Sequence, residues 1–311
     1  MLLAGTDDGL YRVDGESGDA RRVLDAGAVF RLRSFDGVDG AFAATETGLY
    51  YGRGRDWTDL GVPRDRVYAV GAGPDGALYA GTRPAHLYAA TLESPLSGGL
   101  DWRELDGLQD VPSRADWRLP RHDDLAQVRD VHALDGGRVV VGVEVGGVHV
   151  SDDGGRTWTE RRGRVHDDVH ELAVAGRDEF VAATGFGLFH TADAGRTWTR
   201  LDGGHDQRYF RSVAVADDAV YAGGALAHTA TWTDEDAAPA LLAVRDGSVD
   251  AVDHPRGGET VTGITTQDGD VVFGTHTGAL VRQRGDDWVT VGSVPVADPP
   301  VGYTPLLSDA D

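Results

Sequence analysis

The chain has 311 residues, of which 41% are hydrophobic and none is cysteine. It can therefore bury a large core, but it has neither disulfides nor thiolate chemistry. Its formal net charge of -22 argues against nucleic acid as a partner, because binding to phosphates requires basic patches. No apolar run approaches the length that spans a bilayer. The N-terminus, MLLAGTDDGL, lacks the basic and apolar regions of a secretory signal. We expect a globular, cytoplasmic protein that does not bind membranes.

The acidity itself is interpreted as an adaptation to salt. The sequence contains no lysine and no asparagine, and its basic side chains apart from histidine are all arginine. A surface rich in Asp and Glu stays hydrated in concentrated salt, where charge repulsion is screened within a few ångström. This composition predicts a halophilic protein from a haloarchaeal source.

A short unit recurs seven times along the chain. Each copy is a small-residue strand end, a turn, and then an apolar or aromatic strand. The copies lie at 4–12, 43–51, 80–89, 141–150, 182–191, 222–231 and 273–282. A spacing of roughly forty residues is typical of one four-stranded propeller blade. We therefore predict an all-β fold: a seven-bladed β-propeller of four-stranded antiparallel blades, forming a single domain over residues 1–311.

The strands can be placed within one copy. In the fifth copy we predict strands at 170–174, 179–184, 187–191 and 198–201, from the innermost to the outermost. Asp-Gly and Gly-Gly pairs, such as those at 75–76 and 136–137, mark hairpins. No stretch shows a sustained helical period, so we expect few helices.

A tryptophan-containing turn follows the recurring unit in the middle of the chain. It reads S-x-D-x-G-x-T-W at 151–158 and T-x-D-x-G-x-T-W at 191–198, and the shorter spacing G-x-x-W recurs at Trp57, Trp102 and Trp288. Glycine permits a backbone conformation that other residues resist, and Asp, Ser and Thr hydrogen-bond to local backbone. The tryptophan is expected to fill the gap between neighbouring sheets. We assign a structural role to Ser151, Asp153, Gly155, Trp158, Asp193, Gly195 and Trp198.

Three segments do not follow the repeat. The first copy lacks an innermost strand, and the tail at 301–307 is predicted to supply it and close the ring, which removes exposed sheet edges. The segment at about 93–128 is a long insertion between blades, expected to be a folded lid or wall. The segment at 233–239 is an acidic loop.

These turns carry a family resemblance. The motif is that of the Asp-box, or BNR repeat, and nearly the whole chain resembles the seven-bladed BNR or YVTN-like propellers, sometimes called sialidase-like or glycosyl hydrolase-like. Sortilin-type domains and photosystem assembly factors with Asp-boxes are similar in repeat design. The resemblance implies the fold. It does not select a function, because Asp-boxes occur in enzymes, receptors and scaffolds.

The resemblance would imply sialidase chemistry only if that family's site were present. Sialidases bind a carboxylate with three arginines, the first in an F/Y-R-I-P motif, and have six blades. The corresponding stretch at 30–33 reads FRLR and lacks the proline. Arg31, Arg129 and Arg211 are candidates for such a triad, but pairing with acidic side chains explains inner-strand arginines equally simply.

A site is expected at the channel mouth, on the face opposite the Asp-box turns. Loops between the second and third strands and between blades meet there. Imidazole beside carboxylate suits acid–base chemistry, so the catalytic candidates are His132, Glu144 and His170. Arginines bind anions and aromatic side chains supply contact area, so the ligand-binding candidates are Trp117, His122, Arg129, Asp168, Tyr209 and Arg211. Alternatively, these residues only satisfy one another in a polar channel.

Three functions remain open. The first is a non-catalytic binding or scaffold propeller for an unknown protein or a small anionic ligand. The second is a glycoside hydrolase or lyase that acts on an anionic sugar at the same mouth. The third is a structural subunit of a larger assembly. No cofactor is expected, although a divalent metal could bind histidine with Asp or Glu at this mouth.

Overall fold

The chain forms seven sheets of four antiparallel strands arranged in a ring, which confirms the predicted β-propeller. The computed structural model describes residues 1–54, 56–92, 96, 98–216, 219–298, 300 and 302–308. The innermost strands of neighbouring blades contact one another around the central channel.

Blades 1 to 4 occupy the first half of the chain. Blade 1 contains β1 (Leu2–Thr6), β2 (Gly9–Val13) and β3 (Ala20–Leu24). Blade 2 contains β4 (Val29–Phe35), β5 (Val38–Thr45), β6 (Gly48–Arg53) and β7 (Asp56–Asp59). Blade 3 contains β8 (Val67–Ala72), β9 (Ala77–Thr82), β10 (Leu87–Thr91) and β11 (Arg103–Glu104). Blade 4 contains β12 (Gln127–Leu134), β13 (Arg138–Glu144), β14 (Gly147–Ser151) and β15 (Thr159–Glu160).

Blades 5 to 7 follow the same order from the channel outward. Blade 5 contains β16 (Val169–Val174), β17 (Phe180–Thr184), β18 (Gly187–Thr191) and β19 (Thr199–Arg200), close to the predicted strands. Blade 6 contains β20 (Tyr209–Ala216), β21 (Ala219–Ala225), β22 (Ala240–Arg245) and β23 (Ser248–Val252). Blade 7 contains β24 (Val261–Gln267), β25 (Asp270–Thr275), β26 (Ala279–Arg284) and β27 (Asp287–Ser293).

Helical structure within the described residues is limited to short 3₁₀ turns. Three of these turns lie in the insertion predicted at about 93–128. Residues 93–95 and 97 of that insertion are outside the described part of the chain. The turns are Asp106–Asp110, Pro112–Asp116, Pro120–His122, Asp135–Gly137 and Thr229–Thr231. No helix in the described chain is long and apolar enough to cross a membrane.

The ring is closed by the C-terminal segment. Strand β28 (Leu306–Ser308) pairs antiparallel with β1 and becomes the innermost strand of blade 1. Just before it, the carbonyl of Pro305 accepts a hydrogen bond from Gly5 N at 2.9 Å. Proline is tolerated here because it precedes the strand and donates no ladder bond. The predicted closure by the tail is confirmed, although Val301, at the start of that tail, lies outside the described residues.

The tryptophan-containing turns at 151–158 and 191–198 are held by the same internal hydrogen bonds. In the first, Ser151 Oγ accepts from Gly155 N at 2.9 Å, and Asp153 Oδ1 accepts from Thr157 N at 2.9 Å. In the second, Thr191 and Asp193 make the corresponding bonds. Gly155 and Gly195 have φ of 87° and 78°, which L side chains resist. Backbone donors from Thr157 and Thr197 lower the pKa of Asp153 and Asp193 to about 2.

The tryptophans of these two turns join adjacent blades. Trp198 packs with Val140 and Val148 of blade 4, and its Nε1 donates to the carbonyl of Arg161 at 3.0 Å. Trp158 packs in the apolar cluster that contains Leu105 and the insertion. The hydrophobic core therefore lies between sheets, where each tryptophan closes the outer end of one gap.

We predict that Leu306→Asp opens the ring. Leu306 is buried in an apolar cluster with Leu2 and Leu280, so an unpaired carboxylate there should lower the free energy of unfolding by about 3 kcal/mol or more. Urea unfolding measures the loss. The matched control is Val289→Asp on outer strand β27, where the side chain is 41% exposed. Equal destabilisation by the two changes would contradict the closing role of β28.

Candidate functional site

The candidate site begins with a bulge that recurs at the same height in six blades. The innermost strands of blades 2 to 7 each shift register by one residue against their neighbours. A bulge leaves its extra residue unpaired and redirects the side chain. We call the six extra residues the bulge ring: Phe30, Tyr68, Arg129, His170, Arg211 and Thr262.

Side chains of the bulge ring meet across the channel mouth. Phe30 stacks on Tyr68 with ring centroids 4.0 Å apart, and the Arg129 guanidinium lies 5.3 Å from the Tyr68 centroid. Arg211 lies 3.6 Å from the centroid of Tyr303, which comes from the closing segment. Arg129, His170 and Arg211 are each 3% exposed or less. The mouth is therefore filled by its own side chains.

Glu144 lies at the centre of this packing. It ends β13 and forms an isolated β-bridge with Asp168, which brings the ends of blades 4 and 5 together. Its carboxylate accepts hydrogen bonds from Arg121 and Gln127, and Arg129 Nε lies 3.4 Å away. Burial opposes ionisation, but the nearby positive charges, led by Arg129, outweigh it and lower the pKa of Glu144. Both carboxylate oxygens are thus occupied.

His170 and Asp168 complete the cluster. His170 Nδ1 lies 2.7 Å from the carbonyl oxygen of Phe210. Because a carbonyl only accepts, Nδ1 carries a proton and donates it. Nε2 lies 3.5 Å from Asp168 Oδ1, and neither atom has a hydrogen-bond partner among the described residues. Burial opposes ionisation of Asp168, but His170 and Arg121 outweigh it and lower its pKa to about 2.

This trio is the group that could hold a metal. One ligand atom each from Glu144, Asp168 and His170 lie within 4.8 Å of one another. Donation by His170 Nδ1 to a carbonyl leaves Nε2 as the free ligand atom, as in metal-binding histidines. Arg121 and Arg129, however, already balance the two carboxylate charges. A divalent cation would have to displace Arg121, whose side chain is 54% exposed.

His132 belongs to a different group of charges. We call this group the channel network: Arg31, Arg33, Asp130, His132 and Glu171. Arg33 lies 3.1 Å from Asp130, and His132 Nε2 lies 3.1 Å from the carbonyl of Leu172. Arg31 pairs with Glu171. The structure therefore brings Glu144, Asp168 and His170 together but places His132 in a separate hydrogen-bond network.

Asp130 is the fully buried carboxylate of the channel network. Burial alone would raise its pKa, but Arg31, His132 and Arg33 outweigh that effect and hold the pKa well below its ordinary value. Its Oδ2 also accepts from Leu172 N at 2.9 Å. This carboxylate therefore joins blades 2, 4 and 5. Its oxygens are already engaged by these partners, so it is not available as a catalytic acid or base.

The insertion supplies an anchor and a cover. Trp117 is 2% exposed, and its Nε1 donates to Ser113 Oγ at 3.0 Å. It lies in the core and not on the surface of the mouth. His122 is half-buried at the end of the turn Pro120–His122, where burial lowers its pKa. Arg121, beside it, reaches Glu144.

The other predicted binding residues are packed around the ring. Tyr209 is 7% exposed, and its ring centroid lies 4.5 Å from that of His170. Arg129 and Arg211 occupy equivalent bulge positions, whereas Arg31 lies one residue further along its strand. Arg31 and Arg129 pair with acidic side chains, as the simpler interpretation expected.

Sequence reasoning missed several residues of the site. Tyr68 and Tyr303 contact the arginines, while Arg121 and Gln127 bind Glu144. Gln127 lies two residues before Arg129 on β12, but it fell within the segment predicted as an insertion at about 93–128. Arg121 and Tyr303 carried no periodic signal, since both lie in irregular segments.

A separate cavity of about 970 Å³ lies between blades 2 and 3. Its wall includes Phe35, Tyr51 and Leu92, near the β4–β5 hairpin at the end of the propeller opposite the mouth. The described part of its wall contains no histidine. This cavity and the cluster of titratable side chains at the mouth therefore lie at opposite ends of the propeller. We assign the candidate site to the mouth because the titratable side chains are there.

No protein-family model matches the chain, and no curated protein matches it. Solved structures do. YCF48 bound to a D1 peptide has 14% identity and a TM-score of 0.63 over 89% of this chain and 86% of that one. The WD40 propeller domain of Doa1 has 14% identity and a TM-score of 0.61 over 94% and 87%.

Glycoside hydrolases are also similar in fold. A GH74 xyloglucanase from Xanthomonas campestris has 16% identity and a TM-score of 0.58 over 93% of this chain, but this chain spans only 47% of that enzyme. At such identities the comparisons show the fold alone. The chain is therefore a seven-bladed β-propeller similar both to a peptide-bound propeller and to hydrolase propellers.

We predict that Glu144→Gln destabilises the protein by about 3–5 kcal/mol, because it leaves the buried Arg129 charge uncompensated. Urea unfolding at neutral pH measures the change. The control is Glu179→Gln, whose side chain is 53% exposed beside His190 and which should alter stability by no more than about 0.5 kcal/mol. A neutral Glu144→Gln would mean that this ion pair does not support the mouth.

We predict that His149 makes the protein less stable at acidic pH. This side chain is fully buried beside Trp117. Burial lowers the pKa of His149 to about 4. Above pH 6.5 the group is neutral in both states. As pH falls from 6.5 to about 4, only the unfolded chain gains the proton, so the folded state loses up to roughly 3 kcal/mol.

Urea unfolding across this pH range tests the prediction. His149→Gln should show a shallower loss of stability than the unmodified protein, whatever its stability at pH 7. Parallel pH profiles for the two proteins would show that His149 does not cause the loss.

Proposed function

We propose that this chain is a non-catalytic propeller that binds a peptide segment of a protein partner on the channel-mouth face. The observation that carries the proposal is a row of exposed apolar side chains on that face. Leu125 is 38% exposed, Phe186 50% and Leu226 41%. They lie in consecutive blades: before β12, in the β17–β18 turn and after β21. Interaction sites expose apolar side chains on one face of a protein.

Arginine and histidine side chains lie beside this row. The Arg200 guanidinium lies 5.1 Å from the Phe186 ring centroid, and the His166 ring lies 5.9 Å from it. The exposed side of Arg121 lies near Leu125 in sequence. We call Arg121, Leu125, Phe186, Arg200 and Leu226 the mouth patch. Aromatic and arginine side chains contribute most of the energy at protein interfaces.

The state of the acidic groups also supports binding over catalysis. A general acid or base must reach the proton that it transfers. Glu144 is 4% exposed, and both of its oxygens accept from arginine or glutamine. Asp168 faces His170 and Arg121. The likeness in fold to YCF48, which was solved with a peptide, agrees with a protein partner.

The alternative is a glycoside hydrolase or lyase acting on an anionic sugar at the same mouth. It is favoured by one observation: Glu144 and Asp168 form a close carboxylate pair, and glycoside hydrolysis commonly uses two carboxylates. The fold likeness to GH74 propellers agrees with it. This function is placed second because Glu144 and Asp168 are already paired with arginine side chains. The acidic, lysine-free composition is our reason for proposing a salt-rich cytoplasm as the setting of either function.

Selection from a random peptide library in molar KCl, followed by affinity measurement, tests the proposal. We predict that Phe186→Asp or Leu226→Asp weakens binding of the selected peptides at least about tenfold. The matched control, Val215→Asp, alters a side chain 39% exposed near the far end of β20 and should leave binding unchanged.

Two outcomes would contradict this function. One is selection of peptides whose affinity does not respond to either change in the mouth patch. The other is turnover of chromogenic glycosides that the His170→Ala variant loses, which would favour the hydrolase.

A further inference from the structure

Arg211 is a buried cation without a counter-ion among the residues that the structure describes. It is 2% exposed, and within the described chain it forms no ion pair and no hydrogen bond. Its neighbour is the ring of Tyr303, 3.6 Å from the guanidinium. The equivalent Arg129 has Glu144 as a partner. An aromatic face compensates only part of the cost of burying a charge.

Arg211 lines a cavity inside the channel. The cavity has a volume of about 170 Å³ and lies against the innermost strands of blades 1, 2, 5, 6 and 7. Its wall includes Arg31, Arg33, Glu171, Arg211 and Thr262. At the end away from the bulge ring it reaches the exposed Ser34, so small solutes have a path to it.

The charges around this cavity do not balance. Arg31 and Arg33 are matched by two carboxylates, Glu171 and Asp130. Arg211 remains as the third arginine, so one positive charge is left over. Burial lowers the pKa of Arg211 to about 10, which keeps it protonated at neutral pH. A protein interior with one excess charge favours a mobile ion of opposite sign.

We infer that the channel cavity binds a halide-sized inorganic anion on the Arg211 guanidinium. The volume of 170 Å³ has room for about five water molecules, so such an ion fits with part of its hydration shell. Bound there, it neutralises Arg211 beside the closing segment, because Pro305 and Leu306 form another part of the cavity wall. The anion is thus a structural ligand of ring closure. This site is separate from the mouth patch.

Exchange of anions at constant potassium concentration tests the inference. Replacing potassium gluconate, whose anion is much larger than a halide, by potassium bromide should raise Tm by about 2–5 °C. Arg211→Gln should abolish that response. The control Arg284→Gln removes the same charge from a side chain 52% exposed beside Asp270, so it corrects for general salt screening and should keep the response.

Crystals of the unmodified protein soaked in bromide give an independent measurement, which holds even if Arg211→Gln fails to fold. We expect an anomalous peak in hydrogen-bond contact with the Arg211 guanidinium. The inference is overturned if no peak lies beside Arg211, or if Arg211→Gln responds to bromide as the unmodified protein does. Neither result depends on peptide binding, so the failure of this site and the failure of the proposed function are distinguishable.

Discussion

Crowding at the axis of the ring governs this structure. Seven innermost strands converge there, and six of them carry a one-residue bulge at the same height. Each bulge turns one extra side chain toward the channel. The channel mouth is therefore closed by Phe30, Tyr68, Arg129, His170 and Arg211 packed against one another. Charges placed so close together must be paired inside the protein or by solutes.

That requirement decides the chemistry of the mouth. Glu144 is matched by Arg121 and Arg129, and Asp168 faces His170 and Arg121. A carboxylate bound in this way stabilises the junction between blades, but it cannot readily exchange a proton with a substrate. The side chains free to act are those around the cluster, in the loops that end on the outer surface. The proposed binding function follows from this division.

The insertion shows the same division on a smaller scale. Trp117 was predicted to contact a ligand because it is aromatic, yet it anchors the insertion in the core against His149. Arg121, four residues later, extends over the mouth and reaches Glu144. A large aromatic side chain gains most by burial, whereas a guanidinium can remain partly in solvent while it pairs. Their order in the chain did not reveal these opposite roles.

The sequence by itself determined the features that arise from local contacts. The spacing of the repeats, the tryptophan-containing turns at Asp153 and Asp193, and closure by the tail all follow from residues near one another in sequence or from the count of strands. Only the tertiary structure decided which charges meet. Arg129, His170 and Arg211 are about forty residues apart, and a bulge on each strand reverses the side that simple alternation would assign. His132 therefore joined Asp130 rather than Glu144, and Arg211, unlike Arg129, has no acidic partner among the described residues.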